Sequence, residues 1–227
     1  MKENQLNTSI NKIVVVEGLD KTGKSTFINV LDTAYTKKFG SSENLTKFSF
    51  PNKTTPIGKS IRDELEKEHP NNEVVGSPNF LSEMVHYWMR EIFNQDYKNA
   101  NQNIKNYLFD RYFISTMAYQ AFYNDSKADL DFIKRAVEEN KFLKIPTDLI
   151  MLDLPNRIII ERTLNDEKNN LVDAHDTKDV NILDKRREAY QKAVGLLVDW
   201  GVKIHWFSDV SVYDTRELAD DLIGKIF

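Results

Sequence analysis

Glycines at positions 18 and 23 bracket four residues and are followed at once by Lys24 and Ser25, directly after a short β-branched run, Ile13-Val-Val-Val16. The run is long enough for a buried strand, and the spacing G-x-x-x-x-G-K-S is that of a phosphate-cradling loop. The two glycines let the backbone turn tightly, so that successive N–H groups face one concavity. A helix starting near Lys24 adds the positive end of its dipole. In such a loop the lysine reaches the β- and γ-phosphates of a nucleotide, and the serine offers its hydroxyl to Mg²⁺. A strand, this loop and a helix in sequence commit the chain to an α/β architecture.

The rest of the pattern agrees. After the loop, 25–38 reads as a helix with Phe27, Val30, Leu31, Ala34 and Tyr35 on one face, closed by Gly40. A second strand is expected over 46–50, then a helix over 57–66 and a polar loop over 69–76. Ser77-Pro78 is a helix start, and that helix is expected to run to about Phe93. The Asn- and Lys-rich stretch 96–106 reads as a connection. A third strand, 107–109, ends at Asp110-Arg111-Tyr112 and leads into a helix through Ala118 to about Tyr123. Helix 129–140, strand 149–154 and a helix from Pro155 through Arg162 follow. The stretch 165–179 is charged and nearly without apolar residues, too poor in burial to hold itself rigid. A long helix over 182–200, a fifth strand over 202–207 and a closing helix over 215–226 complete the chain. Strands alternating with helices predict a five-stranded parallel sheet flanked by helices, in one domain spanning 1–227.

Bulk properties narrow the function. Net charge is −4, which carries no nucleic-acid footprint. The chain has no cysteine, which excludes disulfides, thiol catalysis and cysteine metal sites and suits a reducing compartment; the expectation is a cytoplasmic protein. No apolar run approaches the length of a membrane span, and residues 1–11 lack the apolar centre of a signal peptide. A guanine-reading N-K-x-D is also missing: Asn165-Asp-Glu-Lys168 and Thr177-Lys-Asp179 both fail its spacing, which argues against a GTPase switch.

Four separated segments then carry a family resemblance: Glu17-Gly-Leu-Asp-Lys-Thr-Gly-Lys-Ser-Thr26; Phe50-Pro-Asn-Lys53 with Ile57-Gly-Lys59; Asp110-Arg-Tyr-Phe-Ile-Ser-Thr-Met-Ala-Tyr-Gln120; and Pro146-Thr-Asp-Leu149 with Arg162 and Arg187-Glu-Ala-Tyr190. Together they resemble the thymidylate kinases, P-loop enzymes that move the γ-phosphoryl of ATP onto dTMP. The third segment is the most specific, because P-loop families at large do not share it.

The resemblance implies roles residue by residue. Gly18, Leu19, Asp20, Lys21, Thr22, Gly23, Lys24, Ser25 and Thr26 would bind ATP, with Arg162 at the entrance of a lid over 165–179. Lys24, Arg111, Lys21, Asp110 and Arg162 would serve catalysis; phosphoryl transfer asks mainly for positioning and neutralised charge. Ser25 and Asp110 would serve Mg²⁺. Asp20 would accept the acceptor's 3′-hydroxyl. Phe50 and Pro51 would wall the acceptor pocket, Lys53 would hold the acceptor phosphate, and Arg111, Ser115, Thr116, Tyr119 and Gln120 would line the rest. Counting back from Asp110 places His86 where the family stacks a phenylalanine on the base, with Arg90 four residues on, on the same helix face. Phe80 with Met84 is a rival register that lacks the arginine. A homodimer is implied as well.

Two departures keep other readings open. Lys21 stands where one branch of the family has arginine, and Lys53 where members usually have it, so the bidentate fork is missing. With the acidic lid, this leaves room for a nucleotide-binding homologue without catalysis. Histidine at position 86 and the insert 69–76 leave room for a kinase of wider deoxynucleotide tolerance.

Overall fold

The computed structural model describes residues 12–51, 55–56, 58–60, 106–138, 144–169 and 176–227. The helix expected over 77–93, the loop 69–76 and most of the helix over 57–66 lie outside those residues, as do positions 170–175 of the expected lid.

Among the described residues, the strands β1 (Ile13–Glu17), β2 (Leu45–Ser49), β3 (Asn106–Asp110), β4 (Asp148–Leu152) and β5 (Lys203–Phe207) form an all-parallel sheet in the order β2-β3-β1-β4-β5. The helices are α1 (Lys24–Phe39), α2 (Phe113–Thr116), α3 (Lys127–Glu138), α4 (Asn156–Lys168), α5 (Val180–Asp199) and α6 (Thr215–Ile226). The order puts β1 at the centre, between β3 and β4. Everything that follows β1 and β3 therefore emerges at one edge, in the crevice where open α/β sheets bind ligands.

The alternation of a strand builds two cores from one sheet. Val14 and Val16 of β1, with Ile150 and Leu152 of β4, face Phe27, Leu31 and Ala34 of α1 and Leu218, Leu222 and Ile223 of α6. Val15, Leu149 and Met151 face the other way, onto Tyr112, Phe113, Ile159, Tyr190 and Leu197. Both faces of β1 and β4 are thus covered, which is why they read as continuous apolar runs.

Local chemistry sets the ends of the helices. Gly40, at φ 76°, closes α1 by donating its N–H to the Thr36 carbonyl at 2.8 Å. Asp179 caps α5 by accepting from Asn181 N, and Asp214 caps α6 by accepting from Arg216 N and Glu217 N.

Three departures from the sequence expectations bear on the site. β4 ends at Leu152 rather than at residue 154, because the Leu154 N–H turns to Asp153 Oδ1 at 2.8 Å instead of a neighbouring strand, while Asp153 Oδ2 accepts from Arg187 Nε at 2.7 Å. α4 runs on to Lys168, so the first residues expected in the lid are helical. The helix after β3 is α-helical only through Thr116 and then widens to a π-helical turn over Met117–Tyr123. Such turns often occur at functional sites.

Candidate functional site

The loop after β1 has the geometry its spacing requires. Gly18 sits at φ +149°, and a Cβ built there would stand 2.1 Å from the Leu152 carbonyl oxygen. Gly23 sits at φ +89°, where a Cβ would meet only Arg162 Nη1, at 3.6 Å. Gly18→Ala must therefore push apart β1 and β4, whereas Gly23→Ala suffers backbone strain alone. Urea unfolding of the two variants should show a loss of on the order of 3 kcal/mol or more for Gly18→Ala and about 1–2 kcal/mol for Gly23→Ala. Equal losses would mean that the contact with Leu152 is not what demands Gly18.

Lys24 is buried, 8% exposed, and its Nζ donates to the Gly18 carbonyl at 3.1 Å and the Leu19 carbonyl at 2.6 Å. Burial first, and then the charge of Arg111, push its ammonium down to about 8. Ser25 Oγ donates to Asp110 Oδ2 at 3.0 Å, so the first turn of α1 and the end of β3 meet side chain to side chain. A hydroxyl and a carboxylate at a phosphate loop form an oxygen-only donor set, the kind Mg²⁺ takes together with substrate phosphates.

Arg111 follows β3 directly. Its backbone N–H donates to the Val16 carbonyl at 3.0 Å, and it adopts φ 65°. Its Nη1 donates to Gly18 O (3.1 Å), Ser115 Oγ (3.1 Å) and Tyr190 OH (2.9 Å), while Nη2 pairs with Asp20 Oδ1. Burial alone would lower its proton affinity, but the Asp20 carboxylate, with Tyr190, Tyr119 and Glu17, holds the guanidinium above its ordinary value. Beneath it lies Glu17, fully buried at the end of β1. Burial raises the Glu17 carboxyl above the ordinary carboxylate range, against the charge of Arg111 and the hydrogen bonds from Ser115 and Tyr112.

Lys21 takes a direction that the sequence does not announce. It sits at φ 65°, and its Nζ lies 2.6 Å from Asp166 Oδ2 and 2.9 Å from Asp176 Oδ2. Burial opposes protonation there, but the two carboxylates overcome it and raise the ammonium above its ordinary value. The loop cation expected at the phosphates is thus paired with two carboxylates of the stretch 165–179. Arg162 holds the same loop from α4, donating Nη1 to the Lys21 carbonyl at 2.7 Å.

Of the residues expected to line the acceptor pocket, those in the described chain lie just after β2 and along the helical stretch that follows β3. Phe50 donates its N–H to the Asp110 carbonyl at 2.8 Å, precedes Pro51 through a cis peptide bond and packs at the edge of the core. Ser115 and Thr116 are buried. The Tyr119 ring meets Tyr190 edge-on at 5.6 Å and lies 5.6 Å from the Arg186 guanidinium. Burial first, and then the Asp20 charge, push the Tyr119 hydroxyl up to about 12. Gln120 is partly exposed and accepts from Asn124 Nδ2 at 3.5 Å. Lys53, His86 and Arg90, with the rival Phe80 and Met84, lie outside the described residues.

Sequence reasoning gave no role to Glu17, Tyr190 or Arg187, although all three stood inside the quoted segments. Arg187 braces the start of α4, with Nη2 on the Leu154 carbonyl at 3.0 Å and on Asn156 Oδ1 at 2.9 Å. Among the described residues, no helix is long and apolar enough to cross a membrane.

A central β1, a phosphate loop behind it and an Asp-Arg pair at the end of β3, on a parallel sheet ordered β2-β3-β1-β4-β5, define the P-loop nucleotide-kinase fold. Comparison with known proteins narrows the class. The thymidylate kinase family model matches residues 16–200, and the chain belongs to that family. A thymidylate kinase of Leptospira interrogans is 31% identical over 79% of each chain. One from Schizosaccharomyces pombe is 33% identical, with the chain spanning about half of its length, 48% of each. Among solved structures, thymidylate kinase from Candida albicans superposes with a TM-score of 0.64 at 21% identity, over 95% of this chain and 91% of that one.

Proposed function

We propose that the protein transfers the γ-phosphoryl group of ATP to dTMP, giving ADP and dTDP. The observation that carries this reading is the meeting at one sheet edge of the phosphate loop, the Ser25–Asp110 contact and the Asp20–Arg111 pair, in a chain of this family. Lys24 and Arg111 meet charge on the transferring phosphoryl group, and their burial magnifies that effect. Ser25 and Asp110 would hold Mg²⁺, which neutralises charge on the phosphates when bound. Arg162 keeps the loop backbone in place beneath the nucleotide. Asp20 orients the acceptor through its 3′-hydroxyl while pairing with Arg111, so one carboxylate sets both the sugar and the guanidinium. Lys53, Arg90 and His86 take the acceptor phosphate and base, and the stretch 165–179 acts as the lid. The protein works as a cytoplasmic homodimer in this reading, as the family resemblance implies.

A panel of nucleoside monophosphates, read by coupled ADP formation, tests the acceptor. dTMP should dominate. Comparable rates with dCMP or dGMP would favour the wider-tolerance reading, and no turnover with any acceptor would favour the binding module.

Asp20→Asn should reduce discrimination for the acceptor's sugar. A hydrogen bond to a charged group contributes roughly 1.5–3 kcal/mol, so the ratio of kcat/KM between dTMP and its 3′-deoxy analogue should shrink about tenfold or more. An unchanged ratio would mean that Asp20 serves Arg111 alone.

A further inference from the structure

The two oxygens of Glu17 do different things. Oε1 accepts the Tyr112 N–H at 2.8 Å and the Ser115 N–H at 3.1 Å, capping the helix that begins after β3. Oε2 accepts the Ser115 hydroxyl at 2.7 Å and the Tyr190 hydroxyl at 3.1 Å. Those same two hydroxyl oxygens accept from Arg111 Nη1, at 3.1 and 2.9 Å, and Oε2 itself lies 3.8 Å from Nη1. The hydroxyls touch each other as well, at 3.0 Å. Each has one proton. With that proton on Glu17 Oε2, each hydroxyl turns its lone pairs to the guanidinium. The carboxylate thus orients two acceptors that seat one end of Arg111.

We infer that Glu17, acting through Ser115 and Tyr190, is the positioning residue for Arg111. It seats Nη1 on β1, α2 and α5 together and leaves Nη2, the arm paired with Asp20, on the side of the substrates. This explains an otherwise costly choice. A carboxylate with no exposed surface is expensive to bury unless it is fully hydrogen-bonded and near a cation, and Glu17 has both. Capping alone would need only Oε1. It also explains why Arg111 tolerates φ 65°, a strained backbone for a non-glycine residue. The guanidinium is fixed at once by Gly18 after β1, by Ser115 on the adjoining α2 and by Tyr190 on α5, so the backbone follows the side chain.

The inference rests on the kinase reading, and its test separates the two. Tyr190→Phe removes one hydroxyl from the Oε2 branch and leaves the Oε1 cap whole. Glu17→Gln keeps the cap acceptor and places a donor where Oε2 was, so that the amide faces both hydroxyls. Both variants are made in the wild type and in Arg111→Lys, which keeps a charge but not the fork. In the wild-type background kcat for dTMP should fall about tenfold in Tyr190→Phe and up to about 10²-fold in Glu17→Gln, the scale expected when a reacting group is misplaced by about 1 Å. KM for ATP should stay within about twofold, since uniform binding is untouched. In the Arg111→Lys background the further loss should fall below about threefold, because there is no fork left to seat. A purely structural role would lower the melting temperature and give the same fold-loss in both backgrounds, and that result would overturn the inference. If Glu17→Gln does not fold, Tyr190→Phe decides alone. Wild-type protein that turns over no dTMP refutes the kinase reading. Wild-type protein that does, with Tyr190→Phe matching it, refutes only the role of Glu17.

Discussion

Lys24→Ala is expected to lower the rate of phosphoryl transfer by about 10³-fold or more, the scale of a preorganised charge removed from a phosphoryl-transfer site. The fold should survive. Lys24 Nζ donates to the Gly18 and Leu19 carbonyls, but Gly18 O also accepts from Arg111 Nη1 at 3.1 Å and Leu19 O from Thr22 Oγ1 at 2.9 Å. Neither carbonyl is stranded by the substitution. The lysine itself costs stability at neutral pH. Its ammonium is pushed down to about 8 by burial and by Arg111, from 10.5. Between those values the unfolded chain binds the extra proton, so stability rises with pH across that window, and below it the folded protein bears the full cost of a buried charge. The alanine variant is spared that cost, and its melting temperature at pH 7 should equal or exceed that of the wild type. Single-turnover transfer and thermal melting on the same preparation check both halves. Near-normal turnover would remove the loop lysine from the catalytic account.

Arg111→Ala should be nearly as damaging, about 10³-fold in kcat, because an arginine that stabilises charge in phosphoryl transfer contributes at least that much. Arg111→Lys should recover only a small part, since the guanidinium divides its two ends between Ser115, Tyr190 and Gly18 on one side and Asp20 on the other. Unlike Lys24→Ala, this substitution should also destabilise. It leaves Glu17, with no exposed surface, short of its nearest cation at 3.8 Å. Low kcat with a lowered melting temperature in Arg111→Ala, and low kcat with an equal or higher one in Lys24→Ala, is the expected contrast. A full-rate Arg111→Ala would end its assignment as a catalytic residue.

Much of this was legible in the sequence where the signal was local. The glycine spacing announced the loop, a continuous β-branched run announced β1, a continuous apolar run announced β4, and the closing helix was read at 215–226, the residues that form α6. The family resemblance assigned Ser25 and Asp110 to one Mg²⁺, and the structure brings their side chains into contact. What escaped was long-range or non-periodic. Lys21 reads as a phosphate ligand from its place in the loop. Its partners Asp166 and Asp176 lie far along the chain, 145 positions for Asp166, and no local pattern links them. Glu17 reads as the last residue of a strand. Its role depends on Tyr190, 173 positions away on α5. The widening at Met117–Tyr123 is also silent, because apolar residues there fit a helical period whether the ladder closes at four residues or five.

The central claim is that this chain moves a phosphoryl group from ATP to dTMP, and it is tested most directly by following the label of γ-³²P-ATP in the presence of Mg²⁺ and dTMP. The account predicts label in the β-position of dTDP, with one ADP formed for each dTDP and none without acceptor. Label appearing only as orthophosphate, or ADP formation indifferent to dTMP, would contradict it.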